Sequence, residues 1–332
     1  MSAIYITEPG CMIRISSRHL IVTKGKERKL QMPLIKVERI LLFGSSQITA
    51  PAVAALLDEG IEICYLSSNG RFRGKLQPAE SKNVLLRVAQ YERYLDEEFT
   101  VNLARTIVRG KVANGRALIL RYQRNYPDID FSGELKTIEQ TLANLPSQKT
   151  VNSLMGSEGI ATAVYFKAFG KMFRGDLRFE TRSRRPPKDP VNAVLSFGYT
   201  MLTNEMFSLI TAHGLDPYIG FLHGLSYGRP SLPLDLVEEF RHPFIDRFTL
   251  SLFNNGVLTE SDFRPVENKG IYLNKDALQR YFEHYERRVK EKFNIGKSEE
   301  EKSYRDLFRL QVNKLSNTIM KGEKYEPIKI YD

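Results

Sequence analysis

The hydrophobic pattern of this chain changes period once, near Pro78, and that change limits the folds open to it. Before Pro78 come short β-rich runs: Ile4 to Ile6, Met12 to Ile15, Leu20 to Thr23, Leu30 to Leu34, Val37 to Phe43 and Ile61 to Leu66. Gly, Pro, Ser and Lys clusters separate them, as expected of strands joined by turns. One short helix is expected among them, with Thr49 as its cap, Pro51 in its first turn and Gly60 at its end. Gly70 to Leu76 then supplies a basic strand carrying Arg71, Arg73 and Lys75. Beyond Pro78 apolar residues recur at three and four: Val84, Leu85, Val88, Tyr91 and Leu95, then, with local slips, Leu103, Ile107, Val112, Leu118 and Leu120. That spacing predicts helices, and the first expectation for such stripes is core packing. Further helices are expected over Leu135 to Leu145, Val151 to Phe173, Val191 to Ala212, Leu234 to Phe253, Lys275 to Phe293 and Ser303 to Met320. The fold class is therefore α+β, a β-rich N-terminal domain followed by a larger all-α domain. The expected boundaries are 1–78 for the strands, 79–94 for a connecting helix, 95–325 for the helical domain and 326–332 for a tail. The polar stretch Gly296 to Lys302 reads as a connection between helices.

A chain of 332 residues has ample capacity for a buried core, and its formal charge of +10 favours a polyanionic partner. Charge alone does not separate nucleic acid from an anionic membrane. No run approaches the roughly 18 apolar residues of a membrane span, which weakens the bilayer reading. The N-terminus, Met1 to Tyr5, lacks a basic region followed by an apolar core, so no secretory signal is expected and the cytoplasm is the expected compartment. Cys11 and Cys64 are the only cysteines and form neither a CxxC motif nor a zinc spacing. Acyl-transfer and nucleotide-binding motifs (G-x-S-x-G, the P-loop, G-x-G-x-x-G) are also missing.

Chemistry concentrates in acids and one histidine. Glu158 lies in Leu154-Met155-Gly156-Ser157-Glu158-Gly159-Ile160-Ala161, among small and apolar neighbours. A carboxylate buried there needs a counter-charge, which a metal ion supplies. The alternative is a helix N-terminal acid facing free amides. His223 follows Ile219-Gly220-Phe221-Leu222 and precedes Asp235 by 12 positions and Glu238 by 15. Alone, such a histidine reads equally as a satisfied core or turn residue. Asp235 and Glu238 share a helix face, whereas Glu239 points about 100° away. Glu238 is thus the expected direct ligand, with Asp235 a second ligand or a hydrogen-bonding partner. The competing reading of the pair is an exposed helix face, given Arg241 and Arg247 nearby. One imidazole with two or three carboxylates suits Mg²⁺ or Mn²⁺. In a basic chain, that combination suggests phosphodiester chemistry. His19, His213, His242 and His284 lack comparable surroundings.

A basic run lies between the acid segments. Lys171, Arg174, Arg178, Arg182, Arg184, Arg185 and Lys188 face only Asp176 and Glu180. Arginines held by Pro186 and Pro187 are placed to bind backbone phosphates, the alternative being a soluble loop. Tyr165, Tyr199 and Tyr227 are candidates for base stacking, with core packing the stronger expectation for the first two.

Four ordered motifs then resemble one known family over nearly the whole chain. They are Met-Gly-x-Glu-Gly at 155–159, Arg-Arg-Pro-Pro-x-Asp-Pro-Val-Asn-Ala-x-Leu-Ser-Phe-Gly-Tyr at 184–199, Gly-Phe-Leu-His at 220–223 and Leu-Asp-Leu-x-Glu-Glu-Phe-Arg at 234–241. The family is the CRISPR-associated adaptation endonuclease and integrase, "Cas-one", in its stand-alone form. The resemblance implies that Glu158, His223 and Glu238 hold the metal, with Asp235 contributing nearby. It further implies insertion of foreign DNA fragments as new spacers into a CRISPR array, by 3′-hydroxyl attack on the repeat phosphodiester. Implied partners are double-stranded and branched DNA, a second copy in a homodimer joined through the strand-rich domains, and a small ferredoxin-like second adaptation subunit. Two other readings of the residues stay open: a metal-dependent nuclease of branched or single-stranded DNA, and a non-catalytic DNA-binding scaffold.

Overall fold

The computed structural model describes residues 2–68, 70, 72–79, 83–175, 177–183, 186–266, 270–294 and 300–329. Arg71, Arg184, Arg185, residues 296–299 of the expected connection and residues 330–332 of the expected tail lie outside the described residues. Strands come first and helices dominate the rest of the chain, so the molecule is α+β. The chain divides into two compact units, Met1–Glu80 with Tyr272–Glu286, and Ser81–Ile271 with Arg287–Asp332.

The first unit holds β1 (Ser2–Ile6), β2 (Cys11–Ser16), β3 (His19–Lys24), β4 (Glu27–Pro33), β5 (Val37–Phe43), β6 (Gln47–Ile48), α1 (Ala50–Asp58), β7 (Glu62–Leu66) and β8 (Phe72–Leu76). They form two four-stranded sheets, ordered β1-β5-β7-β8 and β4-β3-β2-β6. β1, β5 and β7 run parallel and β8 antiparallel. β2, β3 and β4 make an antiparallel meander, with β6 parallel to β2. Alternation buries Cys11 and Ile13 of β2 and Leu20 and Val22 of β3, while the inner strand β5 is buried without a break from Ile40 to Phe43. Leu56 of α1 completes this apolar core. Thr49 has the extended backbone of a cap but makes no side-chain capping bond.

The second unit is built on α2 (Val84–Leu95), α3 (Glu97–Asn125), α4 (Ser132–Asn144), α5 (Val151–Gly170), α6 (Pro190–His213), α7 (Ser231–Val237) and α8 (Arg247–Asn254), followed later by α9 (Lys275–Lys290) and α10 (Tyr304–Lys321). Residues 272–286, most of α9, cluster with the strands, although the sequence reading placed them with the helices. The Phe282 ring stacks on Tyr5 with centroids 4.3 Å apart, and the Tyr5 hydroxyl donates to Glu286 at 2.7 Å. A 3.6-residue stripe names the face a helix buries, not the element that covers it. The stripe on α2 departs from expectation too. Val84, Leu85, Val88 and Leu95 are exposed, and the helix is anchored by buried Leu86 and Gln90. Gln90 donates to the carbonyls of Asp216 and Ile219, both at 3.0 Å.

The single helix expected from Leu234 to Phe253 is broken. α7 ends at Val237, a turn follows, and Arg241–Asp246 forms a wide π-helical turn that leads into α8. Pro243 is the cause: it has no N–H for the Glu239 carbonyl four residues back, and its ring crowds that oxygen. Asn114 of α3 satisfies the orphaned carbonyl instead, donating from Nδ2 at 2.9 Å.

Candidate active site

α3 and α5 bring the first two groups together. α3 starts at Asp96, whose carboxylate accepts from the Phe99 amide at 3.0 Å, and Lys111 lies midway along it. Lys111 is only 2% exposed. α5 begins with a capping box between Thr150 and Ser153 and carries Glu158 two turns in. That position is beyond the free amides of the first turn, so the helix-terminus account of Glu158 does not apply. The Lys111 ammonium forms a very short ion pair with Glu158 Oε1 and lies 2.6 Å from Glu238 Oε2. Thr162, one turn on, donates to Glu158 at 2.7 Å.

Asp235 builds the third part. Its buried carboxylate accepts from three consecutive amides, Phe221 at 2.6 Å, Leu222 at 2.9 Å and His223 at 3.0 Å, and from His223 Nδ1 at 2.7 Å. With Nδ1 so held, His223 presents Nε2 toward Glu238 Oε1, 3.9 Å away. Gly220 is needed for this fit, because a Cβ there would lie 2.6 Å from Ser231 Cβ and 2.9 Å from Asp235 Oδ2. Asp235 thus orients the imidazole, while Glu238, just past the end of α7, faces Lys111 and His223. The Arg241 Nε lies 3.3 Å from Glu238 Oε1, and its guanidinium stacks on Tyr199 at 4.5 Å.

The electrostatics follow from burial and these neighbours. Burial alone raises the Glu238 carboxyl, but Arg241, Lys111 and His223 overcome it and hold the pKa down at about 2. Burial also opposes ionisation of Glu158, and Lys111 and Thr162 outweigh both that and repulsion from Glu238, leaving the pKa lowered. Glu239, next in sequence, behaves oppositely. It accepts from Tyr325, from Gln311 at 2.7 Å and from the Ile328 amide at 2.9 Å, with no cation in contact, and burial pushes its pKa up to about 7. It faces away from Glu238, as expected.

Among the described residues, no three His, Cys, Asp or Glu side chains stand close enough to grip one metal ion as placed. The donors nonetheless fit a hard divalent cation. Glu238 Oε2 is buried, and the group that meets it is the Lys111 ammonium at 2.6 Å. A cation is therefore already required between Glu158 and Glu238, and an imidazole nitrogen is aimed at the same carboxylate.

The basic run is less open than its sequence suggests. Lys171 pairs with Glu134 at 2.7 Å and donates to the Asp130 carbonyl at 2.9 Å. Arg174 donates to the Asn254 carbonyl at 2.7 Å, tying off the end of α8. Arg182 is half-buried, bonding Asn192 at 2.7 Å and Ser196 at 2.9 Å. Arg178 is exposed. Tyr165 and Tyr199 are buried in the core, and Tyr227 is fully exposed.

Two features escaped the sequence reading. Lys111 occupies the apolar stripe of α3, four residues after Ile107 and seven before Leu118, and a lysine in such a stripe is a legible signal. The second is a buried network around Asp246, which binds His242 Nδ1 at 2.7 Å, the Tyr165 hydroxyl at 2.9 Å and the Tyr199 hydroxyl at still closer range. His242 has a local partner in Asp246, but the tyrosines that complete the network lie on α5 and α6.

Comparison with known proteins places the chain in a family. A family model described as CRISPR associated protein Cas1 matches residues 4–287. CRISPR-associated endonuclease Cas1 3 of Thermus thermophilus is 35% identical over 328 residues, 98% of this chain and 94% of its own length. CRISPR-associated endonuclease Cas1 2 of Rhodospirillum rubrum is 34% identical over 303 residues, covering 88% and 87%. Among solved structures, a Cas1 protein from Thermotoga maritima matches with a TM-score of 0.84 at 25% identity, covering 99% of this chain and 100% of that one. A casposase bound to integration product shares the fold, with a TM-score of 0.86 at 23% identity, covering 98% and 93%.

Proposed function

This chain belongs to the CRISPR-associated Cas1 family, and from that premise we propose that it is a metal-dependent DNA endonuclease and integrase that inserts DNA fragments as new spacers into a CRISPR array. The observation that supports this reading is the buried Lys111 ammonium bridging Glu158 and Glu238, with His223 Nε2 lying 3.9 Å from the same Glu238 carboxylate. Glu158, His223 and Glu238 would hold Mg²⁺ or Mn²⁺, which supplies positive charge at the reacting phosphate.

In joining, the fragment's 3′-hydroxyl attacks a repeat phosphodiester, giving up its proton as a new P–O3′ bond forms. The old P–O3′ bond breaks and the released 3′-oxygen takes a proton. One phosphodiester replaces another, so no nucleotide is consumed. Asp235 keeps the imidazole in one orientation, and Lys111 and Arg241 hold the carboxylates ionised, so the site is set before DNA arrives. DNA is the polyanion implied by the +10 charge. Arg178, exposed in the basic run, is the candidate phosphate contact there, with Lys171, Arg174 and Arg182 shaping the segment around it. A homodimer through the strand unit and a ferredoxin-like second adaptation subunit complete the assembly. The edge strands of the two sheets and the exposed apolar side chains Val84, Leu85, Val88 and Leu95 of α2 are surfaces suited to such contacts.

The test is to incubate the protein with a 3′-hydroxyl DNA fragment, a repeat-bearing plasmid and Mn²⁺ or Mg²⁺. Joined products are expected. Nicks without joining would reduce the protein to a nuclease, and band shifts without either would leave only a DNA-binding scaffold.

A further inference from the structure

Glu238 belongs to a turn, not to a helix. α7 stops at Val237, and short turn bonds close the next residues, from the Glu238 amide to the Asp235 carbonyl at 3.3 Å and from the Phe240 amide to the Val237 carbonyl at 2.9 Å. A turn of this kind does not by itself hold a side chain to the fraction of an ångström that a charged site needs. The adjacent residue supplies the hold. Glu239 is fully buried, and its carboxylate accepts from the Tyr325 hydroxyl, from Gln311 Nε2 at 2.7 Å and from the Ile328 amide at 2.9 Å. Its carbonyl accepts from Asn114 Nδ2, which also donates to the Ile328 carbonyl at 2.9 Å. Tyr325 and Ile328 belong to a strap. Gly322 turns the chain out of α10 with φ of +70°, and residues 323–329 continue without regular secondary structure. Gln311 of α10 also reaches the Tyr325 hydroxyl and the Glu326 carbonyl, both at 3.2 Å. Pro327 meets α3 at Gly110, where a Cβ would lie 2.5 Å from the Pro327 Cβ. Gly110 precedes Lys111, whose ammonium lies between Glu158 and Glu238. One strap therefore grips α3 beside Lys111 and the turn beside Glu238 together.

We infer that residues 325–328 are a positioning strap for the site, with Tyr325 acting through Glu239 to hold Glu238 in place against Lys111 and Glu158. This rests on the endonuclease and integrase reading above. Three donors converge on the Glu239 carboxylate, so it cannot turn without breaking bonds, and a single peptide unit joins it to Glu238. Hydroxyl and amide donors offset the burial of a carboxylate less well than a cation does. Stability alone therefore gives little reason to enclose an acid there, whereas fixing its neighbour does. The strap itself touches neither Glu158 nor His223 in any hydrogen bond named above, so its effect on them is indirect. A displacement of about 1 Å at a reacting site costs up to about a hundredfold in rate, and DNA held by surface charge is not sensitive to it.

The experiment compares the full-length wild type with Tyr325→Phe, Glu239→Ala, their double variant and Gly110→Ala. Mn²⁺ binding is read by electron paramagnetic resonance without DNA, nicking in a single turnover at saturating DNA, and DNA affinity by anisotropy. Tyr325→Phe should weaken Mn²⁺ binding and slow nicking, each roughly tenfold, with DNA affinity unchanged. Glu239→Ala should do at least as much, and adding Tyr325→Phe to it should change nothing further, because the hydroxyl acts through that carboxylate. Gly110→Ala, which pushes Pro327 off α3, should show the same defect. Ile13→Val, a core trim in the strand unit, is the stability control and should keep both signals. If Tyr325→Phe binds Mn²⁺ and nicks like wild type, the strap is architecture alone and the inference is overturned, while the endonuclease reading stands. Equal losses in Ile13→Val, or additive losses in the double variant, overturn it as well. If wild type neither binds Mn²⁺ nor nicks DNA, the endonuclease reading falls and takes the inference with it.

Discussion

The two units bury very different things. In the strand unit the core is aliphatic, built from Ile13, Leu20, Val22, Ile40, Leu42 and Ile63, with Arg39 and Glu62 the buried charges beside it. The helical unit encloses Lys111, Glu205, Asp235, Glu238, Glu239, His242, Asp246 and Arg305. Burying charge opposes folding unless each group is paired, so a unit that does so repeatedly is organised around something other than stability. The contrast recurs at single-residue scale. Glu238 and Glu239 are adjacent and both buried, yet one is held ionised near cations while the other is pushed toward neutrality among hydroxyl, amide and backbone donors. Sequence neighbours thus divide between chemistry and architecture according to which cations the fold brings near.

The largest effect should come from the charged cluster. Glu238→Ala is expected to lower nicking and joining by roughly 10⁴-fold, about 5 kcal/mol of barrier, with DNA affinity retained. Losses with Glu158→Ala should be non-additive. A variant retaining a tenth of the wild-type rate would show that the cluster is architecture after all. Next comes a buried pair away from the site. Arg305 and Glu205 are 2.7 Å apart and almost fully enclosed. Arg305→Met takes the paired guanidinium away from a buried carboxylate and should cost about 4 kcal/mol in denaturant unfolding. A loss below 1 kcal/mol would mean that the helical unit tolerates unpaired charge, and the contrast between the units would fail.

Glu239 sharpens the comparison through pH. Its folded pKa of about 7 lies above the 4.5 of an ordinary glutamate, so the folded state binds more protons than the unfolded state between those values. Its stabilising contribution is complete below pH 4.5 and is lost as pH rises through 7. Glu239→Gln should flatten that decline, worth up to about 3 kcal/mol between pH 5 and 8. Thermal melts in EDTA read this directly, and equal slopes for variant and wild type would refute it. The smallest effect belongs to the strand unit. Ile13→Val removes one methylene from an apolar core and should cost about 1 kcal/mol, independent of pH and metal. A pH-dependent loss there would show that the aliphatic core is coupled to ionisation it should not feel.

The local pattern of the chain determined the strand-to-helix order, most helix positions and the candidate ligands, because hydrophobic period, caps and glycine or proline placement act over a few residues. Asp189 before Pro190 shows this: its carboxylate caps α6 by accepting from the Asn192 amide at 2.8 Å. Spacing also separated Glu238 from Glu239, because successive helical residues diverge by about 100°. Tertiary structure decided everything that depends on a distant partner. Pro243 was visible, but its consequence, a π-helical turn whose freed carbonyl is met by Asn114, depended on α3. The basic run was legible as charge, yet Arg182 proved half-buried against α6. That the Asp235 carboxylate gathers the amides of residues 221–223 was likewise not written in its spacing. Lys111 and Glu158 lie 47 residues apart, and no local rule reports that their side chains meet. A side chain's character is set by its own chemistry, but its charge state and role are set by the electrostatic field of neighbours that only the folded chain assembles.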